Sequence, residues 1–162
     1  MPGAGKTSLA VPLAAELGYS LVVKDIIKET LHDALHVPGE GIDPQLSPKL
    51  NIAAWKVLFA LAASAGDMVI EANFHPHLDL ERDQLLSLCG PIVEVHCVCP
   101  AEVAVARYNA RRNHPVHLQT LPLSAMDKYD QPVGVGALIT VDTTTPVDVK
   151  AIAAEVRQLH FS

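Results

Sequence analysis

The residues with the clearest chemistry stand at the start of the chain: Met1-Pro2-Gly3-Ala4-Gly5-Lys6-Thr7-Ser8. They match all but the first position of a phosphate-binding loop, whose pattern is Gly, any four residues, Gly, Lys, then Ser or Thr. Successive backbone N–H groups in a tight glycine turn form an anion nest, and they approach phosphate oxygens closely only where no Cβ intervenes, as at Gly3 and Gly5. Lys6 is suited to reach the β and γ phosphates of a nucleoside triphosphate, and the Thr7 hydroxyl to ligate Mg²⁺. Gly3, Ala4, Gly5, Lys6, Thr7 and Ser8 are therefore the candidate nucleotide-binding set, with Thr7 as its metal ligand.

Such a loop works only if a helix begins at once, so that free N–H groups and the helix dipole face the phosphates. Leu9, Leu13 and Leu17, with Ala10 and Ala14 beside them, give an apolar stripe at helical spacing before Gly18 ends the run. The first glycine of the pattern would fall just before Met1. The strand that delivers a chain into a P-loop would come before that, buried on both faces and continuously apolar. The expectation is a reading frame that starts upstream, with the first strand missing here and the P-loop left without its anchor.

Composition sets limits on partners. The 162 residues are enough for one domain with a real core. A net charge of −6 argues against nucleic acid, whose binders carry a basic face, so phosphate affinity must be local. No basic-then-apolar leader precedes the loop, and the apolar runs are too short and Ala-rich to span a bilayer, so the expectation is a cytoplasmic protein with no membrane partner. Cys97 and Cys99 fall on one face of a strand-like run. They read as buried thiols of a reducing compartment, a metal or redox pair lacking further ligands.

Strand-like and helix-like segments alternate. Strands are expected at Tyr19–Lys24, Met68–Glu71, Ile92–Cys99 and Ala137–Val141. Helices are expected at Asp25–Leu35, from Ser47-Pro48 as cap and first turn through Ala62, at Asp79–Leu88, Pro100–Arg112 and Val147–Leu159. A polar loop rich in His and Pro runs from Asn113 to about Val135. This alternation means parallel pairing with right-handed crossovers, hence an α/β three-layer sandwich. It forms a single domain over residues 1–162, with a lid region around 107–135.

The order of a P-loop, a strand ending in Lys24-Asp25, a strand ending in Glu71-Ala72-Asn73-Phe74-His75-Pro76, a helix holding Arg107-Tyr108-Asn109-Ala110-Arg111-Arg112, and a terminal Val141-Asp142-Thr143-Thr144 resembles the P-loop small-molecule kinases often labelled AAA family ATPases. Their relatives include chloramphenicol phosphotransferase, zeta toxins, and gluconate and shikimate kinases. The likeness spans the chain and lacks the second helical domain of a remodelling ATPase. It implies ATP, Mg²⁺ and phosphoryl transfer to a small-molecule hydroxyl acceptor.

Within that likeness Asp25 would take the proton of the acceptor hydroxyl; as a residue it could equally cap the helix after it. Glu71 would orient Mg²⁺ through water or touch substrate, or simply leave the sheet into its loop. Asn73 and His75 could line the acceptor pocket. Arg107 and Arg111, four apart on one helical face, would close over the transferring phosphoryl group; alternatively they form a solvated basic helix end. His75, His77, His114 and His117 invite zinc, but proline-bounded loops usually leave His in solvent. The alternative function is a nucleotide-binding or hydrolysing switch, or an inactive truncated product. No Asn-Lys-x-Asp guanine motif is present.

Overall fold

A computed structural model describes residues 1–35, 45–111, 113–129 and 131–160. Gly5 adopts φ 78° and helix α1 (Lys6–Leu17) follows it directly. Gly18, at φ 74°, closes that helix by donating to the carbonyls of Ala14 and Ala15, a left-handed cap that only glycine adopts without strain. The chain then runs through β1 (Ser20–Val23), α2 (Lys24–Leu35), α3 (Leu46–Ser64), β2 (Met68–Glu71), α4 (Asp79–Leu86) and β3 (Val93–Val98). It continues with α5 (Ala101–Ala110), a 3₁₀ helix (Leu123–Tyr129), β4 (Ala137–Asp142) and α6 (Val149–His160).

The expected α/β alternation with parallel strands is what forms. β1 pairs with β2 from Ser20 opposite Met68 to Val23 opposite Glu71. β3 pairs with β4 from Val93 opposite Ala137 to Val98 opposite Asp142. Among the described residues these remain two two-stranded sheets, with no strand joining β2 to β3. Helix α1 packs on β1, β2 and α6, while α6 packs on β3 and β4, so the two helices tie the halves together.

The main core gathers Leu9 and Leu13 of α1, Cys97 of β3, Ile139 and Val141 of β4, and Ala153 and Val156 of α6. Burying a leucine such as Leu13 contributes about 1.5–3 kcal/mol. A second cluster joins Ala104 and Tyr108 of α5 to Leu121 and Met126. In α3, Leu50, Ala54 and Leu58 repeat every four residues and form its buried stripe. Cys97 is buried, and burial raises its thiol above the ordinary range. Cys99 lies past the strand end, half-buried between the two clusters. Among the described residues no helix is long and apolar enough to cross a membrane.

Three boundaries move for local reasons. Helix α2 starts at Lys24, one residue early, so Asp25 sits in its first turn instead of capping it. Helix α3 starts at Leu46 behind Gln45 without a side-chain cap, because the Ser47 hydroxyl is used elsewhere, donating to the carbonyl of Val116 at 2.9 Å. Helix α5 ends at Ala110, where the Asn113 amide donates to the carbonyl of Tyr108 at 3.3 Å and takes an acceptor the helix would otherwise use. Arg112, expected as the last residue of that helix, lies outside the described residues.

Candidate phosphate-binding site

Gly3 and Gly5 both have positive φ, 76° and 78°. At Gly3 a side chain is excluded twice over, since a Cβ there would lie 2.1 Å from the carbonyl oxygen of Ala104 in α5. Gly5 packs on the Thr143 side chain, where a Cβ would sit 3.4 Å from Thr143 Cβ. The first turn of α1 has no side-chain cap, which leaves its N–H groups to face an anion.

Lys6 turns back over the loop. Its ammonium donates to the carbonyl of Met1 at 2.8 Å and to Asn73 Oδ1 at 2.6 Å, and lies 3.9 Å from Glu71 Oε1. Burial pulls this lysine below its usual range, while the charges of Glu71 and Asp25 pull the other way. Thr7 donates its hydroxyl to Glu71 Oε2 at 2.7 Å. Glu71 and Asn73 therefore face the P-loop, at the carboxyl end of β2, where open α/β sheets bind ligands. The Thr7 hydroxyl and Glu71 carboxylate bring two oxygen donors together, a chemistry that suits Mg²⁺.

Asp25 is paired with the buried Lys24 at 3.4 Å. Beyond burial, the larger cause at each, its charge acts on Lys6, Tyr108, His117 and Tyr129. His75 is spoken for. Its backbone N–H donates to Glu81 Oε2 at 2.7 Å, its Nδ1 lies 3.0 Å from Glu81 Oε1, and its Nε2 lies 3.1 Å from the Tyr129 hydroxyl. Desolvation raises Tyr129 to about 12, so this phenol stays protonated; with Nδ1–H given to Glu81, a neutral His75 accepts from it at Nε2.

The two arginines separate. Arg107 reaches across to Thr143, donating to its carbonyl at 2.9 Å. Arg111, beyond the helix end with φ −88° and ψ 151°, donates to Asn113 Oδ1 at 2.8 Å and stacks 4.7 Å from the Tyr108 ring. The expectation of one shared helical face fails because α5 stops before Arg111. Burial is the main cause that lowers Lys6, and the Arg111 charge acts in the same direction.

Thr143 is a site residue that the sequence showed only as part of a terminal segment. Its hydroxyl lies 2.9 Å from the Ala4 carbonyl and its N–H donates to Val98 at 3.0 Å, linking β3, β4 and the P-loop. A cavity of about 320 Å³ opens between Gly5, Ser8, Arg107, Thr143, Thr145 and Val147.

The loop after α5 is docked on α2, against the expectation of solvent-held histidines. Lys28 and Ser47 donate to the Val116 carbonyl, His117 Nε2 lies 2.9 Å from Glu29, and His114 Nε2 lies 3.0 Å from Asp33. His32, Asp33 and His114 offer atoms within 4.8 Å of one another. Val116 N–H donates to His114 Nδ1 at 3.2 Å, so a neutral His114 carries its proton on Nε2, which is then a donor to Asp33 and not a metal ligand.

A glycine nest, a lysine folded back over it and a hydroxyl–carboxylate pair at the end of a parallel strand define a P-loop nucleotide-phosphate protein of the kinase type. The chain belongs to the AAA domain family, whose model matches residues 1–133. It is also similar to the crystal structure of a candidate kinase from Chloroflexus aurantiacus J-10-fl, with 27% identity over 98% of this chain and 93% of that chain and a TM-score of 0.75. No curated protein matches.

Proposed function

We propose that this protein is an ATP- and Mg²⁺-dependent kinase that phosphorylates a hydroxyl of a small molecule. The observation that carries the reading is the convergence of Lys6 with Asn73 and of Thr7 with Glu71 at the head of an uncapped helix. The backbone from Gly3 to Thr7 cradles the β and γ phosphates, and Lys6 neutralises charge on them. Thr7 and Glu71 would hold Mg²⁺, which would offset phosphate charge. Asp25 accepts the proton of the attacking hydroxyl. Arg111 stabilises the transferring group. Arg107, with Thr143 and Val147, borders the groove that takes the base and ribose.

His75, fixed by Glu81, belongs to the acceptor side with Tyr129. The net charge of −6 supports a small acceptor over nucleic acid. ATP turnover measured with and without a panel of hydroxyl acceptors tests the proposal. Strong stimulation by one acceptor supports it; turnover indifferent to every acceptor points to a hydrolase.

A further inference from the structure

Helix α2 inverts the usual distribution of side chains. Its buried residues are Lys24, Lys28 and His32, every fourth position, which stacks three basic groups on its inner face. Ile26 and Leu35 of the same helix stay exposed, at 56% and 62%. Lysines are almost never fully buried unless paired, so each of these groups calls for a counter-charge. Lys24 has Asp25 at 3.4 Å, with the Trp55 ring at 5.3 Å. His32 has Asp33 at 3.2 Å.

Lys28 differs. Only 8% of it is exposed, yet its ammonium donates to two neutral oxygens, the Ser47 hydroxyl at 3.0 Å and the Val116 carbonyl at 3.4 Å. Among the described residues it forms no ion pair with a carboxylate. An ammonium has three donors, so these two contacts leave one to spare. The longer contact is also dispensable, because the Val116 carbonyl keeps the Ser47 hydroxyl at 2.9 Å. Burial pulls Lys28 below its ordinary range and the Lys24 charge acts in the same direction, against Asp25 and Glu29. A buried cation held by neutral dipoles gains most from an anion that completes its hydrogen bonds.

The place of this cation fits the acceptor side of the site. Lys28 follows Asp25 by three residues, a spacing that makes side chains neighbours on a helix. It is enclosed by the start of α3 at Ser47 and by the docked loop at Val116.

We infer that Lys28 binds an anionic group of the phosphoryl acceptor, which is then a small acid carrying a hydroxyl together with a carboxylate or a phosphate ester. One ammonium balances one negative charge, which favours the carboxylate. The role as acceptor rests on the kinase proposed above; the anion site at Lys28 does not.

Carbon and nitrogen NMR of the Lys28 side chain tests the site directly, with its signal assigned by loss in Lys28→Arg and in Lys28→Met. The P-loop is first filled with a non-hydrolysable ATP analogue and Mg²⁺, and the protein is then titrated with acetate, with inorganic phosphate, and with chloride as the ionic-strength control. Acetate or phosphate should move the Lys28 signal saturably, and chloride should not. Transfer from ATP is compared across acceptors matched in size: glycerol, glycerate and glycerol 3-phosphate, then glucose, gluconate and glucose 6-phosphate. A charged member should have the lowest KM of its set, and Lys28→Met should raise that KM about tenfold or more with kcat and the KM for ATP little changed. The better substrate of the carboxylate and the phosphate ester identifies the anion. A Lys28 signal that neither anion moves, neutral acceptors used as well as charged ones, or a Lys28→Met effect equal on neutral and charged acceptors would overturn the inference. A Lys28 signal moved by acetate or phosphate with no transfer to any acceptor would keep the anion site and remove the kinase.

Discussion

The P-loop is held from two sides by different physics. On the β2 side the grip is polar: Lys6 on Asn73, Thr7 on Glu71. On the side of α5 and the end of β4 it is close packing and one neutral hydrogen bond, with Gly3 against the Ala104 backbone, Gly5 against the Thr143 side chain, and the Thr143 hydroxyl donating to the Ala4 carbonyl. Charge-assisted hydrogen bonds in a half-buried site are the interactions that change most when phosphate arrives, because phosphate oxygens compete for the same donors. Packing against a backbone carbonyl does not respond to ligand charge. In the proposed kinase the β2 side would carry the chemistry and the opposite side would hold the loop in shape.

Variants on the two sides should therefore fail differently. Lys6→Ala should lower ATP turnover by about 10³-fold while leaving the melting temperature near that of wild type; near-wild-type turnover would remove the lysine from the mechanism. Gly3→Ala should do the reverse of a clean chemical lesion. Its left-handed φ alone costs on the order of 1–3 kcal/mol, and the clash with Ala104 adds to that, so a fall in melting temperature must accompany any loss of ATP binding. A Gly3→Ala protein as stable as wild type would refute the packing account.

The arginine pair sharpens the same division. Arg111→Ala should lower kcat about tenfold or more, whereas Arg107→Ala should chiefly raise KM for ATP, by a few-fold. Steady-state kinetics on both variants decide this, and identical effects would restore a single lid pair. Thr143→Val should be the mildest. Losing one hydroxyl hydrogen bond costs about 0.5–1.5 kcal/mol, visible as a small drop in thermal stability and ATP affinity with kcat unchanged.

The P-loop was legible in the sequence because its chemistry is contiguous: two glycines, a lysine and a threonine within five residues, then a helix whose stripe starts at Leu9. The order of elements was legible too, since periodicity and glycine or proline breaks mark each one. What the sequence hid lies in contacts between distant residues. Glu71 and Asn73 were visible as strand-end polar groups, but their choice of Thr7 and Lys6 depends on how β2 meets α1. The split of Arg107 from Arg111 was invisible because helical spacing assumes a helix, and Asn113 ends it early. The docking of residues 114–117 rests on Lys28, Glu29 and Asp33 of α2 and on Ser47 of α3; the first three carry no local signal, and Ser47 reads locally as a helix cap.

Phosphorus NMR of ATP, Mg²⁺ and a panel of hydroxyl acceptors, with wild-type protein and with Asp25→Asn, tests phosphoryl transfer most directly. A phosphomonoester of one acceptor should grow in step with ADP, and Asp25→Asn should slow it roughly 10²-fold or more with little change in ATP affinity. Release of inorganic phosphate alone with every acceptor, or transfer by Asp25→Asn within a few-fold of wild type, would contradict a kinase that uses Asp25 as its base.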